Sequence, residues 1–135
     1  MVTIDEAQDI LEKVAEGLPE EFYKHLNGGI LLLPESRRSR QPWGEYLYTL
    51  GEYRYSSSMG RYIAIYYGSF EHVFGTHASI EKMADELRKT LLHEFTHHLE
   101  DLAGENALEK EDERRMNFYR DRATARKRRL RRDPE

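Results

Sequence analysis

Apolar residues at the start of the chain recur at the spacing of an amphipathic helix. They fall on one face over residues 4–17, at Ile4, Ala7, Ile10, Leu11, Val14 and Ala15. Thr3 is a suitable N-cap for this helix, and Gly17 is a suitable stop. The Pro19-Glu20-Glu21 sequence then predicts a second short helix, which runs to about Leu26 and ends at Asn27-Gly28-Gly29.

The middle of the chain has the short, alternating pattern of β-strands. Residues 30–33 are all apolar and precede Pro34, which predicts a buried strand followed by a polar loop at residues 35–42. Aromatic and apolar residues then alternate over residues 46–50 and, after a Ser-Ser-Ser-Met-Gly turn, over residues 62–67. These segments predict a mixed or antiparallel sheet of three or four strands.

A long helical pattern follows the strands. Ser79 is a good N-cap, the pattern extends from about Ile80 to Leu102, and Gly104 is the expected stop. The charged, helix-favouring residues from Leu108 onward predict a C-terminal helix that returns antiparallel to the first. The predicted fold is therefore a small α+β domain with N-terminal helices, a sheet, the long helix and a C-terminal helix.

Composition and charge restrict the chemistry and the location. The chain has 135 residues and no cysteine, so we expect one domain at residues 1–119, in which only His, Asp, Glu or water could hold a metal. No apolar run approaches the ~20 residues of a membrane span, and the first residues do not resemble a signal peptide. We therefore expect a cytoplasmic protein that does not enter membranes. Residues 120–135 carry eight basic and three acidic side chains, and form a basic helix end or tail.

The long helix contains an HExxH motif within the sequence LLHEFTHHLED. His93 and His97 are four residues apart, so on a helix they share one face and can bind one tetrahedral Zn²⁺ at ~2.0–2.1 Å. Glu94 is rotated by about 100° from His93, where its carboxylate can take a proton from a metal-activated water. The expected core side of this helix is opposite the histidines and comprises Ala84, Leu91, Phe95 and Leu102. A cluster of solvated His and Glu side chains is the alternative interpretation.

A zinc site with two histidines needs a third protein ligand. Downstream carboxylates are Asp101, Glu105, Glu109, Asp112 and Glu113. If the chain reverses at Gly104, Asp112 comes level with His97, because the two lie eight and seven residues from the turn. Glu109 shares a helix face with Asp112 and is the alternative ligand. Either carboxylate could instead orient a histidine ligand through a hydrogen bond.

The sequence HEFTHHLEDLAGENALEKED resembles the signature of the small bacterial minimal zincins, which are metallopeptidase-like proteins. The LNGGILLLPE and GRYIAIYYGSF segments are similar to the sheet region of that family, so the resemblance covers about residues 18–112. It implies a zincin-like fold, zinc bound by His93, His97 and Asp112, and Glu94 as the general base. This chain differs from the commonest family pattern in its longer ligand helix, which is expected to reach Gly104.

The other histidines and tyrosines have simpler interpretations. We expect His98, at the edge of the core side, to be packed or hydrogen-bonded. His72 and His77 are expected in a loop between sheet and helix. Residues 62–67 could form an edge strand that pairs with an extended peptide, and a tyrosine hydroxyl could stabilise an oxyanion.

These features predict a zinc-dependent metallopeptidase that acts on extended peptide or protein substrates. Glu94 is the predicted catalytic residue, and His93, His97 and Asp112 are the predicted metal ligands. Two alternatives remain open: a non-catalytic, zinc-stabilised interaction module, and a metal-dependent nuclease-like hydrolase that uses the basic tail. No aromatic residue interleaves with the tail cations after Tyr119, so nucleic-acid binding is not expected.

Overall fold

The computed structural model describes residues 2–75 and 77–116, with side chains described as far as Glu105. The predicted tail at residues 120–135 lies outside this range. In chain order the elements are helix α1 (Ile4–Glu16), a 3₁₀ turn (Glu20–Tyr23), strands β1 (Gly29–Leu33), β2 (Arg37–Arg40), β3 (Tyr46–Thr49), β4 (Gly51–Ser56) and β5 (Gly60–Tyr66), and helices α2 (Tyr67–Phe74) and α3 (Ile80–Met116). The predicted α+β class is confirmed.

Helix α1 begins as its sequence predicts. The Thr3 hydroxyl accepts a hydrogen bond from the Glu6 amide, and the Glu6 carboxylate accepts one from the Thr3 amide. The second predicted helix is shorter than expected. It is a single 3₁₀ turn, because the backbone leaves the helical region at Lys24 and adopts a left-handed φ of 64° at His25.

The main sheet has three strands in the order β1-β5-β4. Strand β1 is parallel to β5, and β4 is antiparallel to it. The expectation that residues 62–67 form an edge strand is wrong, because β5 lies between two partners. Strand β4 is an edge strand, and β1 is half-buried at the other edge.

Strands β2 and β3 form a separate antiparallel pair, which we call the ribbon. The sequence predicted a polar loop at residues 35–42, and this expectation is wrong for β2. All four residues of β2 are exposed, so the strand has no apolar alternation to reveal it. Its backbone is fixed instead by pairing with β3 and by the Ser69 hydroxyl, which accepts from the Arg37 amide at 2.9 Å.

Helix α2 was not predicted, and it places His72 on a helix instead of in a loop. It follows β5 directly, and Phe70 anchors it in the core. Gly68 permits this packing, because a Cβ there would stand 2.6 Å from the Ser36 amide nitrogen. The helix start therefore depends on close backbone contact with the segment that leads into β2.

Helix α3 does not end at Gly104. It continues to Met116, so the antiparallel hairpin expected after Gly104 is absent. A single glycine costs a helix only about 1 kcal/mol, and the surrounding sequence is rich in Ala, Leu, Glu, Lys and Arg. The favourable neighbours thus outweigh the glycine, and the predicted stop is an interior position.

The core lies between the main sheet and the helices. It is formed mainly by Ala7, Leu11, Tyr53, Ile63, Ile65, Phe70, Met83, Leu87, Leu91 and Phe95. Leu91 and Phe95 are buried as predicted, whereas Ala84 and Leu102 are only partly buried. No helix in the described part of the chain is both long and apolar enough to cross a membrane.

Replacing Gly104 with alanine should raise the free energy of unfolding of metal-free protein by about 0.5–1 kcal/mol. Alanine is the better helix former, and a Cβ at this position would meet no atom within 4 Å. Urea denaturation in EDTA measures the change. The matched control is Ala103→Gly at the exposed neighbouring position, which should lower stability by a similar amount. A loss of stability in Gly104→Ala would instead indicate a left-handed C-cap and contradict the continuous helix.

Candidate functional site

The two motif histidines meet on the solvent side of α3. The Nε2 atoms of His93 and His97 are 3.2 Å apart, and the rings are nearly perpendicular, with an interplanar angle of 82°. His93 is exposed and His97 is half-buried. The predicted convergence of the two imidazoles is therefore present.

This spacing fits two ligands of one zinc ion. Two nitrogens bound at ~2.0–2.1 Å to a tetrahedral ion stand roughly 3.3 Å apart. The observed 3.2 Å also fits a hydrogen bond between one protonated and one unprotonated Nε2. The Nδ1 atom of His97 is 3.9 Å from Glu100 Oε1, which is too long for a hydrogen bond.

An open groove of about 540 Å³ passes over the histidines. Helix α3 contributes Lys89, Thr90, His93, Glu94 and His97 to it, and residues 48–51 form the facing wall. Glu94 is only 5% exposed although it borders the groove. A carboxylate that is largely withdrawn from water beside two imidazoles can accept a proton from a molecule bound in the groove.

The wall opposite α3 approaches the helix closely at Gly51. A Cβ on Gly51 would stand 2.8 Å from the Thr90 methyl carbon and 3.2 Å from the Ile65 side chain. Only glycine therefore fits where β4 passes α3, one turn before His93 and Glu94. Gly51 and Thr90 both line the groove.

His98 is buried and hydrogen-bonded, as predicted. Its Nε2 donates to the Lys24 carbonyl at 2.9 Å, and its Nδ1 lies 2.8 Å from the Tyr53 hydroxyl. Burial lowers the pKa of His98 below its ordinary value, so the ring is neutral and Nδ1 accepts from Tyr53. Burial, followed by the Asp101 charge, raises the pKa of Tyr53 and keeps its hydroxyl protonated.

The Tyr53 hydroxyl is also 3.0 Å from Asp101 Oδ2. The hydroxyl has one hydrogen, so it cannot donate a full hydrogen bond to His98 and to Asp101 at the same time. Asp101 has a second donor, because Arg61 Nε donates to the same oxygen at 3.0 Å, and the other end of the Arg61 guanidinium contacts Glu105. This network ties the segment of α3 that follows the motif to β4 and β5.

Among the described side chains, none joins His93 and His97 in a group of three that could hold a metal. Asp101 and Glu105 are engaged with Arg61, and no set of three or more His, Asp or Glu side chains in the described residues is arranged to hold a metal. The side chains of Asp112 and Glu109 lie outside those described. On the continuous helix, the backbone of Asp112 is 15 residues beyond His97, about 22 Å along the axis. The hairpin that was expected to bring Asp112 level with His97 is therefore absent, and Asp112 as a metal ligand stays a prediction.

Sequence reasoning missed most of the wall that faces the motif. Tyr48 and Thr49 were treated only as parts of a strand, and Gly51 was not considered. The only available signal was Gly51, an isolated glycine between two strand patterns, which often marks a close approach of another segment. Nothing in the sequence indicates the role of Tyr53, because the alternating strand pattern is the same whether or not the tyrosine hydroxyl has a buried hydrogen-bond partner.

The fold and site define an α+β domain with a groove over a two-histidine helix. No family model matches the chain, and no curated protein is similar enough to count as a match. The chain is similar to the solved structure of a conserved hypothetical protein from Thermus thermophilus, with 36% sequence identity and a TM-score of 0.60. The matched region covers 76% of this chain and 98% of that one. The chain belongs to the family of this conserved hypothetical protein.

Replacing Tyr53 with phenylalanine should lower the free energy of unfolding by about 1–3 kcal/mol, because buried His98 loses its hydroxyl donor. The matched control is Tyr55→Phe on the same strand, where the side chain is 53% exposed and a change within about 0.5 kcal/mol is expected. Urea denaturation of both variants makes the comparison. Equal stabilities of the two would show that the Tyr53 hydroxyl does not stabilise the helix.

Proposed function

We propose that this protein is a zinc-dependent hydrolase of the minimal zincin type, and most simply a metallopeptidase. The observation that carries the proposal is the 3.2 Å separation of the His93 and His97 Nε2 atoms beside the buried Glu94 in one groove. The opposed core face supports it as well. Leu91, Phe95 and His98 are fully buried on one side of α3. The motif histidines His93 and His97 lie on the side that borders the groove.

In this proposal the chain supplies two nitrogen ligands and one base. A zinc ion held by His93 and His97 would polarise a substrate carbonyl and make a water molecule more acidic. The Glu94 carboxylate takes a proton from the attacking water and delivers it to the departing amine nitrogen.

The shape of the groove favours an extended substrate. It is open to solvent and bordered by the end of β3 and the start of β4. Strand β4 lies at the edge of the main sheet, so it takes the peptide-pairing role first considered for residues 62–67. Tyr48 is the tyrosine that borders the groove within the described residues, whereas the hydroxyls of Tyr53 and Tyr66 have partners inside the fold.

A third ligand is needed to complete a zinc site of this kind. We assign it to Asp112, with Glu109 as the alternative, because Asp101 and Glu105, the first two downstream candidates, pair with Arg61. Because α3 is continuous to Met116 in the structure, either assignment requires zinc binding to break the helix after the motif. Gly104 is the residue where an interruption costs least, since glycine is a poor helix former.

The first test measures zinc and activity together. Purified protein should bind about one zinc per chain, and His93→Ala or His97→Ala should remove it, whereas His77→Ala on the exposed loop should not. Elemental analysis after dialysis measures the metal. Hydrolysis of a mixed-sequence peptide library, followed by mass spectrometry, measures activity.

Glu94→Gln separates the mechanism from the metal site. It should keep the zinc and the fold and should reduce peptide hydrolysis at least about a hundredfold, because the general base is lost. Unchanged hydrolysis in Glu94→Gln would contradict the assignment of Glu94 as the general base. Zinc binding without hydrolysis in the unsubstituted protein would favour a zinc-stabilised interaction module.

The third ligand is tested by comparing two alanine variants. Asp112→Ala should weaken zinc binding by about ten- to a hundredfold, and Glu109→Ala should have a much smaller effect. Competition with a chromogenic zinc chelator measures both affinities. Small and equal losses would rule out Asp112 and Glu109 as ligands.

A further inference from the structure

The ribbon presents a basic and aromatic face next to the groove. Cross-strand pairing places Arg38 opposite Tyr48 and Arg40 opposite Tyr46, and directly opposed residues point to the same side of a two-stranded sheet. The Arg38 guanidinium lies 4.0 Å from the centre of the Tyr46 ring. Trp43, in the turn between the strands, is 65% exposed. We call Arg38, Arg40, Trp43 and Tyr46 the ribbon face.

Two arginines of this face have no acidic partner among the described side chains. Within the described part of the chain, no carboxylate pairs with Arg38 or Arg40, whereas their neighbour Arg37 forms an ion pair with Glu52 at 3.1 Å. The only acidic residue between positions 37 and 49 is Glu45, which accepts a hydrogen bond from the Trp43 indole. The ribbon face is therefore a local positive surface on a body that is otherwise acidic, since residues 1–119 carry 13 basic and 22 acidic side chains.

The ribbon is held firmly at its base. Arg37 anchors it through Glu52, and its backbone amide donates to Ser69. On the other strand, the Tyr48 ring stacks on the His72 ring, with 4.6 Å between centroids and 9° between planes. These contacts tie both strands to the main domain, so the ribbon face keeps a defined position relative to the groove.

The ribbon face also continues into the groove wall. Tyr48 belongs to the ribbon and borders the groove, and Tyr46 precedes it by two residues, about 7 Å along the strand. An extended peptide advances ~3.3 Å per residue. A peptide lying over His93 and His97 would therefore bring residues two to four positions from the reacting bond to Arg38 and Arg40.

We propose that the ribbon face selects substrates with acidic side chains on one side of the bond positioned over the motif. This inference rests on the proposed function, and it names the substrate class. Arg38 and Arg40 pair with Asp or Glu side chains, and Trp43 and Tyr46 cover the adjoining backbone and methylene groups. An acidic peptide suits both features of the face: its two arginines, which have no acidic partner among the described side chains, and its exposed aromatic rings.

A peptide suits this surface better than a nucleic acid. Binding of nucleic acid draws its affinity mainly from many phosphate contacts, and the ribbon face offers two unpaired cations on an acidic body. Arginine and aromatic residues can stack on bases, however, so a single-stranded oligonucleotide belongs in the test.

The test compares binding of two matched peptides to the full chain. One is a fluorescein-labelled ten-residue peptide with four glutamates in an alanine-glycine background, and the other has glutamine at the same four positions. Fluorescence anisotropy measures both at low and moderate salt, once with zinc and once with EDTA. The test variant is the double substitution Arg38→Gln and Arg40→Gln. Its control is Lys13→Gln with Arg88→Gln, which removes the same charge from exposed positions that do not border the groove.

The glutamate peptide should bind about five times more tightly than the glutamine peptide, and added salt should reduce the difference. The ribbon variant should weaken glutamate-peptide binding about three- to tenfold and change glutamine-peptide binding less than twofold. The control variant should change both less than twofold. Because every protein keeps the basic tail, the difference between the two variants isolates the ribbon.

Two results would overturn the proposal. The first is equal glutamate-peptide binding by the ribbon variant and the control variant. The second is a fluorescein-labelled ten-residue oligothymidylate that binds more tightly than the glutamate peptide and loses that affinity in the ribbon variant, which would assign the face to nucleic acid. Absence of zinc binding or of hydrolysis would refute the proposed function alone, since the peptide comparison is also made in EDTA.

Discussion

The rotation of α3 about its own axis is the constraint on which the candidate site depends. Successive residues of a helix are 100° apart, so fixing one face fixes every other face. Leu91 and Phe95 bury one side of the helix by hydrophobic packing, which tolerates small rotations. His98 removes that tolerance, because its two ring nitrogens must meet the Lys24 carbonyl and the Tyr53 hydroxyl. A directional contact in the core thus determines where the motif side chains point.

The groove lies between this fixed helix and residues 48–51, the segment that joins the ribbon to β4. Gly51 brings β4 against Thr90, where any larger residue would clash. The residues just before this contact belong to the ribbon, which Arg37 and Tyr48 fasten to the rest of the domain. The groove wall therefore joins the ribbon to a strand that lies close against α3. A substitution at Gly51 would push away the wall and change the groove without touching a motif residue.

The elements that could be predicted from sequence are those that neighbouring residues in the chain determine by themselves. Helix α1 has its own capping box at Thr3, and the spacing of His93 and His97 alone brings their rings together. The elements that could not be predicted depend on distant partners. Strand β2 is wholly exposed and exists through its pairing with β3, and α2 begins without a side-chain cap because Phe70 is buried and Gly68 meets the backbone near Ser36. At Gly104 the local signal was present but weaker than the helix preference around it.

The proposed third zinc ligand could not be predicted from sequence, because it too depends on distant partners. Sequence distance makes Asp101 and Glu105 the natural candidates, but a carboxylate binds the strongest partner that geometry allows. Arg61 on β5 faces both, and an ion pair between groups that are mostly shielded from water is difficult to exchange for another partner. These two acids therefore serve the attachment of α3 to the sheet. Because α3 continues through Gly104 to Met116, Asp112 or Glu109 can join His93 and His97 only if this helix breaks after the motif.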